Sequence, residues 1–168
     1  MRRALAVFPV LAALIGSAPA ADVPDANLRQ AVLDLTLTIE PLQTETGEGP
    51  LTKITISSDV LFAFDEAALT PVAARHLAGI AERLRTATGA VRVDGYTDAK
   101  GTAGYNMGLS RQRAESVKRE LDRILGGTPR IVAAGHGEAD PVAPNTEAGK
   151  DSPAGRAKNR RVVIRFEG

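Results

Sequence analysis

The sequence predicts an α+β fold, a mixed β-sheet with two helices packed on one face. Three observations predict it. Apolar residues recur with a period of two in several short runs, the mark of half-buried strands. Two longer segments carry apolar stripes at helical spacing. From Leu51 onward these alternate as β-α-β-α-β-loop-β, and a helix that crosses over between strands demands parallel pairing in part of the sheet.

Taken in order, Leu33, Leu35, Leu37 and Ile39 share a period of two and predict a strand over 31–40. Residues 41–50 hold Gly47, Gly49 and two prolines among polar residues and predict a hairpin loop. The alternation returns through Ile54 and Ile56, predicting a strand over 51–61. Thr70-Pro71 opens a helix, since threonine caps free backbone N–H groups and proline suits the first helical position. Val72, Leu77, Ile80 and Leu84 supply its apolar stripe. Val91 and Val93 mark a short strand. A polar loop over 98–104 leads to a long helix over 105–125, stopped by Gly126-Gly127. Ile131 and Val132 begin the next strand, which ends at Gly135. Residues 140–155, with Pro141, Pro144 and Pro153, predict a long loop before a last strand through Val162, Ile164 and Phe166.

Length and composition bound the function. A chain of 168 residues accommodates one domain with a short extension and buries a core without staples. It has no cysteine, which removes disulfides, cysteine-ligated zinc and a bacterial lipid anchor on cysteine. Arg2-Arg3, the apolar run 4–16 and the small residues of Ser17-Ala18-Pro19-Ala20 form the pattern of a secretory signal peptide, cleaved after Ala20. The competing reading is an uncleaved anchor, but the apolar run is shorter than the ~20 residues a spanning helix needs. Losing Arg2 and Arg3 takes the formal charge from +1 to about −1, which offers no general attraction to nucleic acid. The expected layout is a signal peptide over 1–20, an N-terminal extension with an edge strand over 21–53, and the main domain over 54–168. The expected mature protein is exported, without an integral membrane segment.

Candidate chemistry gathers on the long helix. Asn106, Ser110, Arg113, Val117, Leu121 and Ile124 fall on one line at ~100° per residue. The lower part is apolar and belongs in the core. The upper part is polar yet continues the same line, so these residues either satisfy one another or line a cleft. Asp98 starts the loop beyond the strand of Val91 and Val93, and ligands of open α/β sheets gather at such strand ends. Asp98 and Arg113 thus place opposite charges at one rim, as a structural ion pair or as two halves of a binding site.

These residues carry a resemblance. Gly95-Tyr96-Thr97-Asp98, Gly101, Tyr105-Asn106, Leu109-Ser110, Arg113-Ala114 and Val117 resemble the OmpA-like C-terminal domain in order and spacing. Upstream, Phe62, Phe64-Asp65 and Leu69 match. Downstream, Gly135, Gly137-Glu138, Pro141, Asn145, Gly155-Arg156, Asn159-Arg160-Arg161 and Val162 continue the match, which covers roughly 54–167. The resemblance implies non-covalent binding of peptidoglycan through the diaminopimelate of its peptide stem. It implies that Asp98 holds the ligand ammonium and Arg113 the ligand carboxylate. Thr97, Asn106 and Leu109 match positions of the same pocket, and Asn159 and Arg160 resemble the closing motif beside it. The chemistry suits those residue types: an aspartate accepts from an ammonium, and an arginine offers a carboxylate a planar fork. The chain departs from the pattern at Tyr96, where histidine is more frequent, and at Gly108, a helix-interior glycine that costs ~1 kcal/mol against alanine. The Asp151-Ser152-Pro153 segment lengthens the last loop.

Competing classes are weaker. Arg156, Lys158, Arg160, Arg161 and Arg165 form a basic cluster, read as an exposed strand entry with some structural pairs rather than a nucleic-acid face. For catalysis, His76 and His136 are the only histidines, and there is no H-E-x-x-H, no G-x-S-x-G and no cysteine nucleophile. Asp98 and Glu138 could be imagined as a glycosidase pair, but a general acid must hold its proton and a nearby arginine favours the carboxylate. The expectation is therefore no catalytic residue, no cofactor and no metal. The runner-up is an envelope adaptor, its N-terminal hairpin adding a strand to a partner protein.

Overall fold

Core-facing apolar residues at every second position of three strands build the floor of the molecule, which a computed structural model describes for residues 42–168. The strand expected over 31–40 and the signal segment lie outside the described residues. Strand β1 (Gln43–Glu48) pairs antiparallel with β2 (Leu51–Ser57), and β2 pairs antiparallel with the last strand, β7 (Arg161–Glu167). Strand β3 (Val91–Gly95) lies antiparallel to β7 and parallel to β4 (Ile131–Gly135). The order β1-β2-β7-β3-β4 makes the mixed sheet that the sequence predicts.

Helix α1 (Ser58–Leu61) is one turn. Helices α2 (Pro71–Leu84) and α3 (Ala103–Leu125) supply the second layer. Ile54, Ile56, Val91, Val93, Val162 and Ile164 meet Leu77, Leu84, Val117 and Leu121 in one buried core. The intervening Arg92, Asp94, Val163 and Arg165 point to the other face, because successive strand side chains alternate. Thr70 Oγ1 accepts from Ala73 N at 3.1 Å and caps α2 as expected. Thr70→Ala should cost about 1 kcal/mol of stability, read as a lower urea midpoint at unchanged slope. Gly126 ends α3 in the left-handed conformation at φ 69°, the residue type that tolerates it best.

Four expectations need correction. Residues 41–50 are not one loop: β1 occupies most of them, and Gly49-Pro50 alone makes the turn. The sequence QTETGE carries no apolar alternation because β1 is a mostly exposed edge strand. The strand expected over 51–61 stops at Ser57, whose Oγ accepts from Asp59 N at 3.3 Å and starts α1. The long loop over 140–155 contains a small hairpin, β5 (Thr146–Glu147) with β6 (Lys150–Asp151), and leads into helix α4 (Pro153–Asn159). Its prolines, read as loop markers, include Pro153 at the first position of α4. Val72 sits on the stripe of α2 by spacing but is 55% exposed in the first turn.

Two glycines set how closely α3 lies on the sheet. A Cβ on Gly95 would stand 2.3 Å from the Ser110 carbonyl oxygen, and one on Gly135 would stand 2.3 Å from Arg111 N. The upper half of α3 therefore rests directly on the ends of β3 and β4. That contact delivers Asn106, Ser110 and Arg113 to the rim where those strands finish.

Candidate ligand-binding site

The polar half of α3 is buried, as its continuation of the apolar line requires. Asn106, Ser110 and Arg113 are all inaccessible or nearly so. Ser110 Oγ accepts from Gly137 N at 2.9 Å, tying the helix to the turn after β4. Asn106 Nδ2 donates to the Asp98 carbonyl at 3.3 Å and to Glu138 Oε2 at 2.8 Å. The first contact fixes the loop that presents Asp98, and the second ties the helix to the turn after β4. Thr97 N donates to the Gly137 carbonyl at 2.7 Å, while its buried hydroxyl has no hydrogen-bond partner among the described residues. Leu109 is half-buried on the same helix.

Asp98 is held by cations from the other end of the chain. Its Oδ2 accepts from Arg160 Nη1 at 2.9 Å, and Arg156 Nε lies 3.7 Å away. Its Oδ1 accepts from Lys100 N at 3.0 Å. Arg160 also grips Asp59 through two bonds, Nε to Oδ1 at 3.1 Å and Nη2 to Oδ2 at 2.7 Å. The hydrogen bond from Asp59, aided by that from Asp98, raises the pKa of Arg160, so it stays cationic. A guanidinium fork matches a carboxylate in this way, and Arg160 spans two carboxylates at once.

Arg113 stands apart from this chain of charges. It is only 5% exposed, with its guanidinium carbon 5.2 Å from the centre of the Phe62 ring. Its Nε donates to the Glu66 carbonyl at 2.8 Å. Its terminal nitrogens meet no acceptor within hydrogen-bonding distance among the described residues. Burial pulls its pKa down, and the fields of Asp59 and Asp65 oppose that pull. No ion pair joins Asp98 to Arg113 among the described residues. Arg160 is bonded to Asp98 and lies within electrostatic reach of Arg113. The rim thus brings the carboxylates of Asp59, Asp65 and Asp98 together with the guanidiniums of Arg113, Arg156 and Arg160, and Arg156 pairs with Asp151 as well.

Asn159 has a different position. It is 1% exposed, and its side-chain oxygen accepts from Val142 N and Ala143 N at 2.8 and 3.1 Å. Its Nδ2 donates to the Ala143 carbonyl and to Asn145 Oδ1. Asn145 Oδ1 in turn accepts from Ala99 N at 3.3 Å, so Asn159 braces the loop beside Asp98. Sequence reasoning missed Asp59, Arg156 and the Glu66 carbonyl as parts of this rim. Asp59 fell inside an expected strand, and a backbone carbonyl has no sequence signature. Arg156 was visible as a basic residue and as part of the family resemblance, but without a role at this rim.

That basic cluster is not an open charged face. Arg161 is buried against the Tyr96 ring at 3.8 Å and donates to the Asn159 and Asp140 carbonyls. Burial lowers its pKa. Arg165 pairs with Asp94, which also lies 2.9 Å from His136 Nε2, and the His136 ring stacks on Tyr96 at 4.8 Å. Asp94, Tyr96, His136 and Arg165 line a groove of about 520 Å³ on the face away from the helices, and it includes none of the candidate site residues. Glu138, imagined as a catalytic partner of Asp98, is engaged by Asn106.

Relatives place this architecture. The model of the OmpA family matches residues 61–160. The probable lipoprotein YiaD of Escherichia coli is 35% identical over 144 residues, covering 85% of this chain. This chain spans 61% of that relative's length. The cell wall anchor of the T6SS from Pseudomonas aeruginosa superposes at a TM-score of 0.67 with 31% identity, over 83% of this chain and 95% of that one. The peptidoglycan-associated lipoprotein from Burkholderia pseudomallei gives a TM-score of 0.53 at 31% identity, over 64% and 88% of the two chains. With its mixed sheet, its two covering helices and a family match over more than half its length, this chain belongs to the OmpA family.

Proposed function

We propose that this protein binds peptidoglycan without cleaving it, gripping the zwitterionic end of diaminopimelate between Asp98 and Arg113. The observation that carries this is the state of Arg113. The Arg113 side chain is mostly buried and held at Nε, while its terminal donors are unengaged by the described residues, and Arg160 holds the Asp98 carboxylate of the same rim. Buried charges are costly unless paired, and a ligand carboxylate would supply the missing acceptor. The ligand ammonium would meet the remaining lone pairs of Asp98. Thr97, next to Asp98 in the chain, keeps its hydroxyl buried and unpartnered, so it helps shape the site from beneath rather than by contact. Asn106 positions the Asp98 loop, Leu109 gives an apolar wall, and Arg160 orients Asp98. Asn159 acts through the loop rather than by contact, since both its polar atoms are occupied.

Carboxylates and guanidiniums side by side at the rim suit a zwitterion better than a plain anion or cation. Two relatives support the ligand class, one described as a cell wall anchor and one as peptidoglycan-associated. The signal-like segment over 1–20 supports an exported protein of the periplasm, outer membrane or cell wall. A carboxylate pinned by cations is poorly placed as a general acid, which favours binding over hydrolysis. The test is sedimentation with isolated diaminopimelate-type sacculi. The folded protein is expected in the pellet. Protein left in the supernatant at saturating wall would reject wall binding and favour an adaptor that recognises another envelope protein.

A further inference from the structure

Phe64 is 98% exposed, an unusual condition for a residue type that is usually buried. Two positions earlier, Phe62 is in the core. The exposure is built in. Glu66 N donates to the Ala63 carbonyl at 3.1 Å and closes the turn that carries Phe64. Asp65 adopts φ 61°, a left-handed conformation that non-glycine residues rarely hold without support. The support comes from the Tyr105 hydroxyl, which donates to Asp65 Oδ1 at 2.5 Å. That hydrogen bond raises the Tyr105 pKa, keeping the donor protonated. The Glu66 carbonyl at the end of the turn accepts from Arg113 Nε. An aromatic ring is therefore held out into solvent by a turn fastened to the proposed carboxylate-binding arginine. Only Asp65 separates Phe64 from Glu66, a span of at most about 7 Å between their Cα atoms.

We propose that Phe64 is a stacking platform for a sugar ring of the glycan strand whose stem peptide occupies the Asp98–Arg113 site. This rests on the peptidoglycan reading above and extends it from the stem to the saccharide. The face of an aromatic ring is electronegative, and the C–H face of a pyranose is its apolar, electropositive complement. The stem's charged end has its own partners in Asp98 and Arg113, and its alanyl methyls are too small to cover a phenyl face. The saccharide is the one broad, rigid surface tethered to that stem. Pre-organisation by the Tyr105–Asp65 bond spares the ordering cost of a mobile loop.

The test compares two soluble wall fragments on the full chain by calorimetry: a free diaminopimelate stem peptide, and the same stem still joined to its disaccharide. Wild type should bind the disaccharide form about five- to tenfold more tightly. Phe64→Ala should erase that advantage and leave affinity for the free stem unchanged, with an unaltered melting curve because the ring touches little. Phe64→Trp should keep the advantage. Equal wild-type affinity for both fragments, or an equal loss for both in Phe64→Ala, would overturn the platform while leaving wall binding intact. Failure of wild type to bind either fragment would overturn wall binding itself, and the platform with it.

Discussion

Arg113→Ala is expected to lower affinity for diaminopimelate-type wall at least tenfold, and Asp98→Asn to follow closely. A hydrogen bond to a charged group contributes about 1.5–3 kcal/mol net, and about 1.4 kcal/mol is a factor of ten. Arg113→Lys should not restore binding, since an ammonium offers one compact charge where a carboxylate fits a planar fork. Asp98→Asn keeps the side chain's shape while removing the charge that faces the ligand ammonium. Arg160 would still be held through both bonds to Asp59, so the rim should persist. The measurement is the bound fraction against wall concentration, beside thermal melts showing each variant folded. Wild-type affinity in a folded Arg113→Ala variant would contradict the assignment.

Gly95→Ala and Gly135→Ala should each destabilise the fold by about 3 kcal/mol or more. Overpacking a well-filled interior costs about 1–3 kcal/mol when side chains can shift. Here each new methyl would meet backbone, Ser110 O in one case and Arg111 N in the other, both at 2.3 Å. The only relief is to lift α3 from β3 and β4. That would carry Asn106, Ser110 and Arg113 away from the Asp98 loop, so wall binding should weaken even where the variant remains folded. Urea denaturation reads the stability change. A cost below about 1 kcal/mol would show that the helix is not seated by these glycines.

The paired helices and the mixed sheet were legible because burial leaves a period in the sequence. Leu77, Ile80 and Leu84 on α2, and Val117 and Leu121 on α3, face one core at helical spacing. Strand β1 was illegible because an exposed edge needs no apolar alternation. The hairpin and α4 hid behind prolines and glycines that mark loops and helix starts alike. At the rim, the line from Asn106 to Arg113 stood out as polar residues on a buried stripe, and Asp98 as the residue after a strand end. What holds Asp98 did not. Arg160 is 62 residues away from it, and Asp59 is 101 residues from Arg160. Contacts over such separations have no local spacing. The fastening of Arg113 to a backbone carbonyl is equally silent, because every residue supplies that group and only the fold's geometry selects Glu66.

The most direct test of the site is competition on wall-bound protein with free diaminopimelate, using Nα-acetyl-lysine amide at equal concentration as the control. With its α-amine and α-carboxyl blocked, that lysine keeps a side-chain ammonium with no carboxylate beside it. The zwitterion site predicts that diaminopimelate releases the protein from sacculi in a dose-dependent way and that the blocked lysine does not. Release by both alike, or by neither while the protein still sediments, would contradict recognition of the zwitterion by Asp98 and Arg113.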